Sequence, residues 1–328
     1  MTRLNQFDIL KAIGIILVII GHTLDYNMMR NIIYSFHMPL FFLVSGYFFK
    51  VKSPNPPIKK LSKKLLIPYL LSCIIIIILS SIILHIDSHK FDIHHLTNWL
   101  QSFIYGCGVT EGTQFQSIGP LWFLLALFWG TIILHLTIHY TKYVHPLFIS
   151  LLCVIISLYL SQHKIRLPLS ILQGMLGVGY MYIGYLLKQY YPSITFRNKF
   201  NLVLIAVIWI ISFKSGYLSM VQCYAEPQLL ALTGALCGTY IFYAISNSIA
   251  LKNSRLCTTL TSLGKMTLLI LCIHSIEDSI IPWKTYMNEI ALNHYLSNSI
   301  IIFVRIFIVL SISIILQKFK LVQKIFNT

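Results

Sequence analysis

The stretch "FDILKAIGIILVIIGHT", residues 7 to 23, sets an ammonium (Lys11) and an imidazole (His22) eleven positions apart in an otherwise almost wholly aliphatic run. Eleven residues of helix turn about 1100°, so the two side chains fall about 20° apart on one face and about 16 Å apart along the axis. Asp8 and Asp25 fall within the same arc of about 80°. One side of a greasy helix therefore carries carboxylate, ammonium, imidazole and carboxylate in order. An ionisable group at bilayer depth is costly unless paired or hydrated, so this stripe must face a bundle interior or a wet cavity. Imidazole is the usual proton acceptor near neutral pH, and a cation in such a place binds an anion or pairs with a carboxylate. For Lys11 the pairing choice is Asp8, at i, i+3; for His22 it is a hydrogen bond to any polar neighbour.

The next apolar run, "IIYSFHMPLFFLVSGYFF", returns in the opposite direction with His37 near its start. An antiparallel hairpin brings His37 and His22 to similar depth, where they can share one site. Pro39 frees the carbonyl of Ser35 and predicts a kink beside His37. Ser45 and Gly46 fall level with Lys11, as part of a polar path or as a small-residue helix contact. Far downstream, "LCIHSIED" sets His274, Glu277 and Asp278 within an arc of about 100° as i, i+3 and i+4 neighbours. They suit the binding of hydroxyl groups or proton transfer, and equally a structural cluster. Trp122 in "GPLWFL" is a pocket wall or part of an interfacial aromatic belt. Arg305 is expected to pair inward with one of the acids in a structural role. "HIDSHKFDIHH" offers His85, Asp87, His89, His94 and His95, but with neither cysteines nor helical HExxH spacing no metal site is expected.

These groups need helices to position them. The chain is 328 residues long, 57% hydrophobic and only 10% charged, with mean hydropathy +0.77, against about 25% charged residues in soluble domains. The composition predicts an all-α, polytopic membrane bundle. Apolar stretches near span length fall at 7–25, 31–49, 65–85, 119–138, 146–162, 167–188, 200–218, 228–249, 262–281 and 298–316, which predicts ten spans. Pro68, Pro120, Pro146, Pro168 and Pro227 sit at predicted first turns, where a missing N–H costs nothing. Asp8 and Lys11 interrupt the first run, so it is read as a retained helix and not a cleaved leader. Residues 1–328 are read as one transmembrane domain without a separate soluble domain or internal repeat. Gly174, Gly177, Gly179 and Gly184 predict a close-packing seam in the sixth span. The segment 86–118 predicts a polar loop with a short surface helix, placed to shape an entrance.

The formal net charge is +16. With ten spans, seventeen of the 25 lysines and arginines fall on one side and six on the other, which puts both termini in the cytoplasm. The basic residues are read as topology signals and contacts to membrane lipids, and nucleic acid is not expected as a partner. The seven cysteines are scattered without a CxxC pair, so neither a disulfide framework nor a zinc site is indicated.

Several of these pieces together resemble the membrane-bound acyltransferase family 3, especially its compact polysaccharide O-acetyltransferases of the fucose 4-O-acetylase type. They are the basic residue, ten residues and histidine from Lys11 to His22, then "FHMPLFFLVSGYFF", a basic cluster leading into "LLIPY", and "GPLWFLLALF". The match covers about the first 130 residues in the family's order, with "LCIHSIED" and hydropathy alone beyond it. The resemblance implies transfer of an acyl group, usually acetyl, from cytoplasmic acyl-CoA to a hydroxyl of a surface or lipid-linked glycan, by an integral protein of the bacterial cytoplasmic membrane.

Carried onto this chain, the resemblance makes His22 the leading catalytic residue and Lys11 its basic partner. The family's arginine pair after the second span corresponds only to lysines here, Lys60 and Lys63 with Lys64 adjacent, which supply charge but not arginine's bidentate fork. Lys60, Lys63 and Lys64 are then expected to hold the phosphates of acetyl-CoA with Lys11 and Ser45 above them. Asp25, one turn past His22, is placed to fix its tautomer, with His37 in the same catalytic site. His22 acts as general base or as an acyl carrier, two routes that the sequence leaves open. Trp122, His274, Glu277 and Asp278 are expected on the acceptor side.

A different class fits the intramembrane charges too: a transporter or flippase for a lipid-linked sugar or small anion. Such a carrier predicts internal symmetry and paired broken helices, neither of which is visible in the sequence. A third possibility is a sensor or assembly partner that keeps the fold without turnover.

Overall fold

Backbone in hydrocarbon has no water to bond, so long aliphatic runs satisfy it internally as helices. The computed structural model describes residues 4–24, 27–51, 54–88, 92–111, 114–140, 145–190, 199–252, 254–283, 285–286 and 294–326. In chain order the helices are α1 (Asn5–Thr23), α2 (Asn27–Tyr34), α3 (His37–Tyr47), α4 (Ile58–Leu61), α5 (Ile67–Ser88), α6 (Ile93–Tyr105), α7 (Trp122–Tyr140) and α8 (Pro146–Gln162). Then follow α9 (Ile171–Tyr190), α10 (Lys199–Ser215), a hairpin of β1 (Tyr217–Ser219) and β2 (Tyr224–Glu226), α11 (Gln228–Leu251), α12 (Arg255–Lys265), α13 (Thr267–Ile280), α14 (His294–Leu316) and α15 (Lys320–Phe326). A π-helical segment, Ser62–Leu66, joins α4 to α5. The fold is all-α apart from the hairpin, which pairs antiparallel with Leu218 opposite Ala225.

Among the described residues six helices are long and apolar enough to cross a bilayer, and seven when α12 and α13, bent by 69°, count as one span. Each of the ten expected stretches is largely helical, but α8 and α10 are shorter, at 17 residues each. The stretch 31–49 is not one helix. It breaks at Ser35 and Phe36, so Pro39 falls in the first turn of α3 where no N–H partner is lost. The kink expected beside His37 is thus a complete break. Ser35 Oγ donates to the Ile32 carbonyl at 2.7 Å and accepts from Trp209 Nε1 at 2.9 Å, which occupies polar groups at the break. With the bend at Met266 this makes two interrupted helices, of which the sequence predicts a kink only in the first.

The glycines explain how the interior helices approach so closely. A Cβ on Gly184 would lie 2.1 Å from the Leu43 carbonyl oxygen, and one on Gly46 1.9 Å from that of Met181, so α3 and α9 pack backbone to backbone. The seam expected along the sixth span is present, with Gly174 against the Ala126 carbonyl of α7 and Gly177 against the Phe42 ring. Gly264 lets α12 lie on α1, since its Cβ would meet the Asp8 carbonyl oxygen at 1.9 Å. α5 and α14, by contrast, keep most of their long aliphatic faces on the outside of the bundle. The surface helix expected in segment 86–118 is α6, capped by Asp92, which accepts from the His94 N–H at 2.8 Å, and closed by Gly106 in the left-handed conformation.

Candidate functional site

The buried face of α1 sets the site. Lys11, near its start, pairs with Asp8 at 2.8 Å across one turn. His22, in its last turn, lines a cavity of about 520 Å³ together with His37 of α3, Trp122 at the start of α7 and Asp278 of α13. His37 Nδ1 lies 2.8 Å from the Ile33 carbonyl oxygen. A carbonyl only accepts, so Nδ1 carries the proton and Nε2 keeps its lone pair. Tyr34 packs its ring edge on His37 at 4.9 Å, and Arg30 stacks over Tyr34 at 5.1 Å, at the exposed rim.

Behind His22 stands a buried ionic hub. Nδ1 of His22 is 3.4 Å from Oδ2 of Asp278, whose other oxygen accepts from Arg305 Nη2. Arg305, among the largest fully buried side chains, donates from Nε and Nη2 to Glu277 Oε1 at 3.1 and 2.8 Å and from Nη1 to Thr23 Oγ1 at 3.1 Å. Glu277 also accepts from Trp283 Nε1 and lies 2.8 Å from His274 Nδ1. The His274 ring meets that of His22 edge to face at 5.2 Å. Removing a guanidinium from water is expensive, and two carboxylates, a hydroxyl and an indole face around Arg305 offset that cost. The chemical result is an imidazole whose Nδ1 faces a fixed carboxylate, an arrangement that sets the ring's tautomer and opposes the charge it gains on taking a proton.

At the other end of α1 a second cavity, about 280 Å³, is bordered by Lys11, Ser45, Lys64 and Lys265. It shares three lining side chains with the first cavity: Val18, Met38 and Leu271. The two therefore lie next to each other along α1 with these three side chains between them, lysines around one and the histidines in the other.

The site differs from the expectation in several places. Lys64 borders the lower cavity, whereas Lys60 and Lys63 are outside its lining, although all three are exposed at the surface. His274 and Glu277 lie behind the wall, engaged with Arg305 and each other, and of that trio only Asp278 reaches the cavity. Asp25 lies outside the described residues; among the described residues the carboxylate beside His22 is Asp278. Trp122 is a cavity wall. Among the described residues no group of three or more histidines, cysteines or acids is placed to hold a metal ion.

Other parts of the site were missed by the sequence reading. Lys265, which no motif of the sequence singles out, borders the lower cavity. The hairpin supplies Tyr217, Ser219 and Gln222 to the cavity; its cue was a tyrosine-rich stretch, 217–226, fenced by Gly216 and Pro227. Arg166 ties the mouth together, donating to Ser161 Oγ at 2.6 Å, to the Gln222 carbonyl at 2.8 Å and to the Glu111 carbonyl at 3.3 Å.

Comparison with known proteins bears on this geometry. The family model described as an acyltransferase domain matches residues 4–318. The nodulation protein NolL of Mesorhizobium japonicum is 32% identical over 138 residues, covering 38% of this chain and 33% of NolL. The chain thus spans about a third of that relative's length. No solved structure matches it.

Proposed function

The chain belongs to the acyltransferase domain family, and from that premise we propose an integral-membrane O-acyltransferase that moves an acyl group, acetyl first among them, from cytoplasmic acyl-CoA to a hydroxyl of a surface or lipid-linked glycan. In this reading the protein sits in a bacterial cytoplasmic membrane with ten spans and both termini inside, so the Lys11 end faces the cytoplasm. The carrying observation is the pair of neighbouring cavities along α1, with lysines around one and the His22–Asp278 pair in the other.

Lys11, Lys64 and Lys265 would hold the phosphates of the donor, and the mostly apolar lower cavity accommodates its pantetheine arm. The distance along α1 from Lys11 to His22, about 16 Å, is then the reach the arm must cover. The acceptor enters from the opposite, polar cavity. His22 Nε2 accepts the hydroxyl proton as the oxygen attacks the thioester carbonyl, while Asp278 holds Nδ1–H. The carbon–sulfur bond breaks, and His22 returns the proton to the departing sulfur, leaving an ester and free coenzyme A. An acyl-histidine intermediate would use the same residues with His22 attacking first.

The test uses purified protein in liposomes with acetyl-CoA inside and glycan acceptor outside. Release of coenzyme A that depends on the acceptor and is lost in His22→Ala supports the proposal; unchanged acetylation in that variant removes His22 from the chemistry. The two interrupted helices also favour a second reading, a carrier, since discontinuous helices line many transport sites. Passage of the sugar without consumption of acetyl-CoA in the same liposomes would establish it instead.

A further inference from the structure

Val18, Met38 and Leu271 border both cavities and are almost fully buried. Val18 lies one turn below His22, Met38 follows His37 directly, and Leu271 is two turns below Asp278 on α13. Each is thus an apolar step next to a polar group of the site. From these positions we infer that the three side chains form a neck that selects the acyl group by its cross-section, admitting a short linear acyl thioester to His22 and holding back branched or bulky ones. The inference rests on the acyl-CoA reading above.

The argument is geometric. The acyl group is the tip of the donor, so it enters the neck before the thioester does. For the carbonyl carbon to reach the ring of His22, about 6 Å above Val18, everything beyond that carbon must project into the upper cavity. Beside apolar side chains such as Leu24 and Val221, that chamber presents Arg30, Glu111, Ser117, Gln222 and Asp278. Methylene groups pushed among these find polar neighbours and forgo the stabilisation each would gain in apolar surroundings. A branched acyl group meets the obstacle earlier, at the neck, where Met38 or Leu271 would have to move. Met38 is the adjustable member, an unbranched side chain in the first turn of α3 immediately after the helix break.

The test measures binding of free coenzyme A, acetyl-CoA and isobutyryl-CoA to the full-length protein in nanodiscs. Wild type is expected to prefer acetyl-CoA over isobutyryl-CoA by about tenfold or more, the scale on which a tight apolar passage discriminates single carbon groups. Met38→Ala and, independently, Leu271→Ala should bring that ratio towards one. Val18→Phe should narrow the neck and weaken acetyl-CoA binding relative to free coenzyme A, so a variant of opposite sign covers any loss of packing in the truncations. Equal affinities in wild type, or a ratio unmoved in variants that still bind free coenzyme A, overturns the neck alone. Failure of wild type to bind coenzyme A or either thioester overturns the acyl-CoA reading and the neck with it.

Discussion

Nδ1 of His22 and Oδ2 of Asp278 stand 3.4 Å apart, joining the first transmembrane helix to the thirteenth helix of the chain. Neither residue is placed by its own neighbours alone. Asp278 is held by Arg305 of α14, and Arg305 is in turn fixed by Glu277 and by Thr23, the residue after His22. Three helices thus meet at one carboxylate–imidazole contact.

If that carboxylate sets the tautomer of His22, Asp278→Asn should keep the fold and lower turnover by about a hundredfold to ten-thousandfold, the range seen when a positioned base is disoriented. The measurement is alkali-labile acetate on the cell-surface glycan at matched expression, alongside His22→Ala. An Asp278→Asn strain with wild-type ester content would show that the contact is only structural.

Arg305→Met should unfold the protein before it affects chemistry. It leaves Glu277 buried and Asp278 half-buried without their cation, and losing the partner of a buried charge costs about 3–5 kcal/mol in comparable pairs. Thermal unfolding in detergent should show a large drop. Adding Glu277→Gln to the same background should recover part of it, because one fewer charge is then buried without a partner.

The basic end predicts a division among lysines. Lys64→Ala and Lys265→Ala should each raise KM for the acyl donor by about two- to fivefold with kcat little changed, and the increase should shrink in high salt. Lys60→Ala and Lys63→Ala, exposed and outside the cavity, should do less. Initial rates at varied donor concentration separate the two pairs, and equal effects from all four would return the phosphates to the whole cluster.

Gly264→Ala tests how α1 is held. Its methyl group would meet the Asp8 carbonyl 1.9 Å away, and backbone cannot rotate aside as a side chain can. Overpacking of this kind costs about 1–3 kcal/mol. A lower unfolding temperature is expected, together with reduced turnover, since α1 carries both Lys11 and His22. A variant as stable and active as wild type would mean that α12 shifts freely along α1.

Hydropathy alone made the helical, membrane-spanning character legible, because backbone in hydrocarbon has few solutions and glycine seams, prolines and caps follow local rules. The cofacial Lys11 and His22 were equally readable, since helical periodicity fixes angles within one element. The sequence could not reveal that the Asp278 carboxylate lies beside His22, that Lys64 and Lys265 border the lower cavity while Lys60 and Lys63 do not, or that a hairpin walls the upper cavity. Those relationships depend on how separate helices cross and on breaks at Ser35–Phe36 and Met266 that bring distant residues together. Periodicity specifies direction within a helix; which helices face one another is decided only when their small residues and buried charges find complementary partners in three dimensions.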